Sequence, residues 1–183
     1  MRQGLAFDDV LLTPRYSEIN SRKNIDISSK LDEAVTLRLP IISAPMDTVT
    51  ESHMAHAMSR YGGMGVVHRY NTIEDQVAII KKIGGIKAAA IGVTGDYIER
   101  SKALAEVGCY VLCLDVAHGH HLLVKEALHE LRNVFGLSVH LMAGNVATME
   151  AFNDLSDWGA DSIRVGVGGG SICSTRIQTG HGI

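Results

Sequence analysis

Residues 87–118 read KAAAIGVTGDYIERSKALAEVGCYVLCLDVAH, and this stretch contains a complete strand–helix–strand repeat. An apolar run that begins near Lys87 gives way to small and polar residues, and a helical pattern then runs to Val107 before Gly108. Asp96 and Glu99 have the spacing of a capping box at the start of this helix. Two apolar runs joined by a helix predict two parallel strands with a crossover helix.

The same unit recurs along most of the chain. Apolar runs start at intervals of 23 to 28 residues, near Leu39, Met64, Lys87, Tyr110, Ser138 and Asp161. Thr72 and Thr148 are predicted N-caps of two more helices, and another helix is predicted from about His120 to Val134. The pattern therefore predicts an α/β fold with six parallel strands.

Residues 1–38 lack this repeat. Residues 8–14 favour an extended arm with a turn, and Ile25, Ile27 and Leu31 alternate as in a short hairpin. We expect this N-terminal arm to pack on the main unit as a lid or plug and not to form a second domain.

Composition excludes several classes of protein. The 183-residue chain has 17 basic and 20 acidic residues, a formal net charge of −3, and no basic block, so nucleic acid is not an expected partner. No apolar run approaches the roughly 20 residues of a membrane span, and the N-terminus has no apolar signal core, so we expect no membrane association and no secretion. Three cysteines without framework spacing favour a reducing, cytoplasmic location.

All six predicted strands end in small or polar residues, and parallel α/β proteins place their chemistry at these ends. The sixth strand is followed by GVGGGSICSTR, residues 166–176. Its glycines let backbone amides approach a phosphate, and a Cys173 thiolate beside them can act as a nucleophile, with Arg176 lowering its pKa. The alternatives are a flexible turn and a buried, inert cysteine, and we expect the latter fate for Cys109 and Cys113.

The HGHH stretch at residues 118–121 admits a different hypothesis, a zinc-dependent hydrolase that uses His118, His120 and His121. No further residues follow at zinc-ligand spacing. A loop that contacts substrate or cofactor is therefore the favoured interpretation.

Four segments together resemble the IMP dehydrogenase/GMP reductase family, in order and in register from residue 5 to the end. They are FDDVLL (7–12), SAPMDTVTE (43–51), AGNV (143–146) and GGGSICSTR (168–176). The resemblance implies a (β/α)8 TIM barrel, usually a homotetramer, that acts on a purine nucleotide with NAD or NADP. Six of eight strand–helix units are legible, so we expect residues 1–183 to be a single, incomplete barrel domain whose remaining units lie in a longer or second chain. The link after Lys82 leaves no room for the pair of regulatory CBS domains that most dehydrogenases carry.

The resemblance also implies roles for individual residues. Cys173 matches the nucleophile that attacks C2 of the purine, and Thr175 matches a catalytic threonine. Residues that match nucleotide contacts are Ala44, Met46, Asn145, Gly170 and Ser171, the last at the phosphate. Residues that match the cofactor region are Asp115, Ala117 and His118. The carbonyl oxygens of Gly168, Gly170 and Cys173 match ligands of a monovalent cation, usually K⁺.

The two branches of the family differ in the reaction they catalyse. Residues 46–51, 73–76 and 118–120 are more similar to dehydrogenases, whereas residues 21–22 and 115–117 are more similar to reductases. We favour an IMP dehydrogenase, which oxidises IMP to XMP with NAD⁺ through a thioimidate on Cys173, in guanine nucleotide biosynthesis. The alternatives are a GMP reductase, which converts GMP to IMP and ammonia with NADPH, and an inactive nucleotide-binding fragment or subunit. Gly169, where the family often has Pro or Ser, is expected to loosen its loop without removing a contact group.

Overall fold

The structure is a computed structural model that describes residue 5 and residues 9–183. Phe7 and Asp8 of the FDDVLL segment therefore lie outside the described residues. The strands are Ser29–Lys30 (β1), Thr36–Leu37 (β2), Ile42–Ser43 (β3), Met64–Val67 (β4), Ala88–Ile91 (β5), Val111–Asp115 (β6), His140–Val146 (β7) and Ser162–Val165 (β8).

Strands β3 to β8 form one parallel sheet in sequence order, and β1 pairs with β2 in an antiparallel hairpin. Each predicted apolar run contributes one strand to the parallel sheet. Residues of the two edge strands, Ile42 of β3 and Ile163 of β8, line one cavity of 290 Å³ together with Val66 and Met142. The sheet is therefore curled into part of a barrel, which confirms the predicted α/β barrel fold.

Helices follow the parallel strands. They are Ser52–Tyr61 (α1), Ile73–Lys81 (α2), Tyr97–Glu106 (α3), Leu122–Phe135 (α4), Met149–Asp157 (α5) and Thr175–Thr179 (α6). Thr72 and Thr148 are N-caps as predicted, because their hydroxyls accept backbone N–H groups of the first turn. Among the residues that the structure describes, no helix is long and apolar enough to span a membrane.

The predicted capping box at α3 is wrong. Asp96 is the N-cap residue, but its side chain makes no capping hydrogen bond. The Asp96 carboxylate instead accepts a hydrogen bond from the Arg100 guanidinium at 2.8 Å. A charge-assisted bond to a buried arginine is stronger than one to a backbone amide, so the arginine takes the carboxylate.

Alternation along the strands separates two apolar layers. One face, which includes Val67, Ile91 and Leu114, packs beneath the helices. The other face, which includes Val66, Ala90 and Cys113, fills the barrel interior. Because most positions of β4 to β7 face one layer or the other, these strands are largely apolar, and most of their polar side chains lie at their ends.

The hairpin closes the amino-terminal end of the barrel. Val35 and Leu37 are buried in the interior layer, and the turn residue Asp32 receives hydrogen bonds from Tyr110 and the ring of His140. The hairpin therefore packs on the barrel as expected, whereas residues 9–28 of the predicted arm are largely exposed, and Leu11 and Leu12 are each 97% exposed. The hairpin itself lies at residues 29–37, a few residues later than the alternation of Ile25 and Ile27 indicated, and both of these isoleucines are exposed.

Candidate active site

A cavity of 420 Å³ opens at the carboxyl ends of the strands. Its walls come from the loops after β3, β4, β6, β7 and β8, which contribute Met46, Arg69, Tyr70, Asp115, Val116, Ala117, Asn145, Gly166, Val167, Gly168, Cys173 and Thr175. Sequence-predicted residues from four separate loops therefore meet at one place. This convergence is what parallel strands of a barrel produce.

The loop after β8 carries the thiol. Gly168 has φ +77°, and a Cβ there would lie 2.6 Å from Cγ of Arg176, so the glycine allows both the turn and the close approach of the arginine. Cys173 begins the turn into α6, and its backbone N–H donates to the carbonyl of Gly170 at 3.0 Å. The thiol is exposed to solvent at the cavity wall.

Thr175 sets the ionisation of this thiol. The two side chains are hydrogen-bonded, with Cys173 Sγ 3.2 Å from Thr175 Oγ1. The Thr175 hydroxyl, then its backbone N–H, and then the charge of Arg176 lower the pKa of Cys173. A lowered pKa with free access to solvent is the condition for a nucleophilic cysteine.

The other two cysteines are inert by the same criteria. Cys109 and Cys113 are both buried, as the sequence predicted. Burial raises the pKa of Cys109 to about 12 and that of Cys113 to about 11. Of the three cysteines, Cys173 is therefore the one that is both exposed and has a lowered pKa.

Asn145 ties three loops together. Its side-chain amide donates to the Gly166 carbonyl at 2.8 Å, and its own carbonyl accepts the Gly119 N–H at 2.8 Å. Its backbone N–H donates to Val116 at 3.0 Å. Asn145 thus holds the loops after β6 and β8 in a fixed relation beside the thiol.

The segment after β3 reaches the cavity through Met46. The buried Thr50 hydroxyl donates to the Ala44 carbonyl at 2.6 Å and fixes the turn that presents this methionine. Ala44 itself lines the neighbouring 290 Å³ cavity and not the thiol cavity. Ser171 and Gly170 are exposed on the thiol loop and lie outside the lining of the thiol cavity.

Two arginines at the site were not predicted. Arg164 of β8 points into the barrel and pairs with the carboxylate of Asp115, and its Nη1 also lies 3.6 Å from Sγ of Cys113. Arg69, the residue after His68 at the end of β4, donates to the Asp115 carbonyl at 3.4 Å and lines the thiol cavity. The signal in the sequence was a charged residue within or directly after an otherwise apolar strand.

In the described part of the chain, His118, His120 and His121 are not grouped as metal ligands. His120 Nε2 is 2.8 Å from Asp154 Oδ2, whereas His121 caps α4 by accepting the Leu123 N–H at 3.1 Å. His118 is exposed and lines a 470 Å³ cavity beside the thiol cavity, and Ala117 lines both. Within residue 5 and residues 9–183, no three His, Cys, Asp or Glu side chains are grouped to hold a metal ion. The zinc-hydrolase hypothesis therefore has no geometric support in this part of the chain.

Comparisons with known proteins find one family along nearly the whole chain. Residues 4–183 match the family described as "IMP dehydrogenase / GMP reductase domain". The chain is 37% identical to a protein named inosine-5'-monophosphate dehydrogenase from Cryptosporidium parvum over 227 aligned positions, which cover 99% of this chain and 56% of that protein. It is 33% identical to a protein named GMP reductase from Mesoplasma florum, which covers 96% of this chain and 56% of that protein.

A third relative, named inosine-5'-monophosphate dehydrogenase, comes from Nitrosopumilus maritimus. It is 28% identical over 311 aligned positions, which cover 100% of this chain and 65% of that protein. The chain thus spans between 56 and 65% of the length of these curated relatives.

Proposed function

Because the chain belongs to the IMP dehydrogenase/GMP reductase family, we propose that it carries the nucleophile and much of the binding site of a purine nucleotide oxidoreductase. We further propose that the reaction is oxidation of IMP to XMP, as in an IMP dehydrogenase. The observation that carries this proposal is the exposed Cys173 thiol, with its lowered pKa, in a cavity shared with Asn145 and Asp115.

The residues present suit this chemistry. In the proposed reaction the Cys173 thiolate adds to C2 of the purine, and the covalent adduct becomes a thioimidate once a hydride has left C2. Water then hydrolyses the thioimidate and returns the thiol. Thr175 stabilises the thiolate through its hydroxyl, which lowers the pKa of Cys173 and so favours the nucleophilic form. Met46 and Asn145 line the same cavity as the thiol, which supports the proposal that they hold the base and ribose.

The residues also fit the two groups that the family uses. Asp115, Ala117 and His118 line the cavities where we place the cofactor, and bound NAD⁺ would supply the hydride acceptor. The carbonyls of Gly168, Gly170 and Cys173 lie on one short loop, and neutral backbone oxygens are the ligands that K⁺ prefers. The Gly170 carbonyl already accepts the Cys173 N–H, and its second lone pair is available to a cation.

The second candidate is a GMP reductase. The relative from Mesoplasma florum supports it, because that protein is named a GMP reductase and aligns over 181 positions, about the length of this chain. In this reaction the same thiolate displaces ammonia from the purine, and NADPH returns the hydride. The proposed roles of Cys173 and Thr175 are unchanged.

Two turnover assays distinguish the candidates. The chain, joined to or mixed with the remaining barrel units that we expect in a longer or second chain, is incubated with IMP and NAD⁺ or with GMP and NADPH, and nicotinamide absorbance is followed. We expect turnover in the first mixture, and turnover only in the second would replace the dehydrogenase with the reductase. Absence of turnover in both, with folded protein, would favour the inactive nucleotide-binding subunit.

We also propose an oligomeric state and a cellular location. The catalytic domain works as a homotetramer in a reducing, cytoplasmic environment. The family resemblance supports the tetramer, and the three unpaired cysteines support the reducing environment. A mass of about four chains by light scattering is the expected result.

A further inference from the structure

Arg69 crosses the mouth of the barrel. It follows β4, and its guanidinium lies against the backbone of Gly92 at the end of β5, where an added Cβ would be 3.6 Å from Nη1. The same guanidinium reaches β6, where its Nη2 donates to the Asp115 carbonyl at 3.4 Å. The guanidinium therefore lies over the cavity that contains the Cys173 thiol.

Arg69 has no carboxylate partner of the kind that Arg164 has among the described residues. Arg164 pairs with the carboxylate of Asp115, and Asp115 and Arg69 are the charged residues among those that line the thiol cavity. The partners of Arg69 are a neutral carbonyl and the face of the Tyr70 ring, 5.5 Å from Cζ. Its Nε is buried and has no hydrogen-bond partner in the part of the chain that the structure describes.

A buried donor without a partner is costly, and a desolvated positive charge beside an open cavity attracts an anion. The loop that carries Arg69 is also held rigidly. The buried Gln76 donates to the His68 carbonyl at 2.9 Å, and the buried Arg100 donates to the Asn71 carbonyl at 3.0 Å and to Gln76 at 2.9 Å. The arginine is therefore fixed in place before a ligand arrives, which reduces the entropy lost on binding.

We propose that Arg69 is the anion-recognition residue of the thiol cavity, which receives a phosphate oxygen of the ligand and selects phosphorylated ligands over neutral ones. This proposal adds to the proposed function, because it names the residue that reads the charge of the substrate or cofactor. A phosphate oxygen can come from the nucleotide or from the pyrophosphate of the dinucleotide. The test below separates these sources.

The test uses the rate at which Cys173 is alkylated, which requires no turnover. The full chain is treated at low ionic strength with iodoacetate, which is anionic, and with iodoacetamide, which is neutral, and the modified peptide is quantified by mass spectrometry. Both reagents react with the same thiolate, so the ratio of the two rates does not depend on how much of the thiol is ionised. The ratio instead reports the electrostatic potential at the thiol. Removal of one charge from the lining of the same cavity is expected to lower this ratio about fivefold in Arg69→Gln.

Two variants serve as controls. Arg69→Lys keeps the charge and should keep most of the ratio, whereas Arg60→Gln removes an exposed charge from α1 and should leave the ratio unchanged. Arg176→Gln measures the other cation that acts on the thiol. An unchanged ratio in folded Arg69→Gln would overturn the proposal.

The source of the phosphate oxygen is read from protection against iodoacetamide by IMP or by NAD⁺. Loss of NAD⁺ protection in Arg69→Gln assigns the oxygen to the cofactor, and loss of IMP protection assigns it to the nucleotide. If both ligands protect Arg69→Gln as well as the wild type, Arg69 does not recognise a phosphate and the assignment is wrong. If neither ligand protects even the wild type, the proposed function fails, while the alkylation ratio still decides the role of Arg69.

Discussion

The two ends of the same six strands differ in how their polar groups are satisfied. At the amino-terminal end, His140 is fully buried and bonded on both sides, with Nδ1 2.6 Å from Asp32 and Nε2 2.7 Å from Ser162. At the carboxyl-terminal end, Cys173 is exposed and the buried Nε of Arg69 has no partner among the described residues. Completed hydrogen bonds stabilise a fold, whereas unmet ones are available to a ligand.

The closed end also shows how a separate segment is attached. The hairpin contributes Asp32, β7 contributes His140, and β8 contributes Ser162, so three elements far apart in sequence are joined at one imidazole. We therefore expect substitutions at this end to change stability, and substitutions at the open end to change reactivity.

The largest expected effect is that of Cys173→Ser. A serine hydroxyl is a far poorer nucleophile than a thiolate at neutral pH, so nucleotide-dependent change in nicotinamide absorbance should fall by roughly 10³-fold or more. The thermal unfolding curve should not move, because this side chain is exposed. Cys113→Ser is the matched control, and a similar loss of activity in that variant without unfolding would contradict the assignment.

His140→Ala should give the largest change at the closed end. It leaves the Asp32 carboxylate and the Ser162 hydroxyl without a shared partner and creates a cavity, so we expect a loss of about 2–3 kcal/mol in the free energy of unfolding. Chemical denaturation measures this loss, and His129→Ala on the exposed face of α4 is the control. The iodoacetamide rate at Cys173 should stay within about twofold, because two sites that are far apart and share no partners usually act independently. A large decrease of that rate in folded His140→Ala would show that the two ends of the barrel are energetically coupled.

Thr175→Val tests the ionisation of the thiol. Because the Thr175 hydroxyl is the main group that lowers the pKa of Cys173, its removal should move the pH profile of alkylation to higher pH. Less thiolate is then present at neutral pH, and alkylation there slows. An unmoved profile would contradict the role of the hydroxyl and leave the Thr175 backbone N–H and the Arg176 charge as causes, which Arg176→Gln would separate.

Asp32→Asn is expected to have the smallest effect, a loss of stability at neutral pH that disappears as the pH falls into the acid range. Burial opposes ionisation of Asp32, but hydrogen bonds from His140, Val35, Tyr110 and Ala34 hold its pKa below the ordinary 3.8. Stability from this carboxylate is therefore present above pH 3.8 and is lost as the pH falls through the lower folded value. Unfolding midpoints measured from pH 6 downward should decline less steeply in Asp32→Asn than in wild type, and parallel declines would refute this linkage.

The sequence predicted those features that depend on neighbours in the chain. Strands, helices and the caps at Thr72 and Thr148 follow from local patterns, and so does the glycine loop that carries Cys173. The capping box at Asp96 failed because Arg100, a residue of the same helix, is buried and takes the carboxylate. Local spacing contains no information about such burial.

Features that depend on distant contacts were not predictable. His140 had no visible role in the sequence because Asp32 is 108 residues away and Ser162 is 22 residues away. The hairpin was placed too early, since its register depends on the buried contacts of Val35 and Leu37 and not on local alternation. In the sequence, Arg69 was only a polar residue at the end of a strand. Its proposed role in anion recognition depends on a distant contact, because Arg164 takes the carboxylate of Asp115 across the barrel.

The central claim is that Cys173 is a nucleophile directed at a purine nucleotide. The most direct measurement is intact-mass analysis and peptide mapping after incubation with an IMP analogue that carries a leaving group at the reactive purine carbon. We predict one adduct per chain, on Cys173, slowed by excess IMP and absent from Cys173→Ser. No adduct in folded protein, or an adduct on Cys109 or Cys113, would contradict the claim.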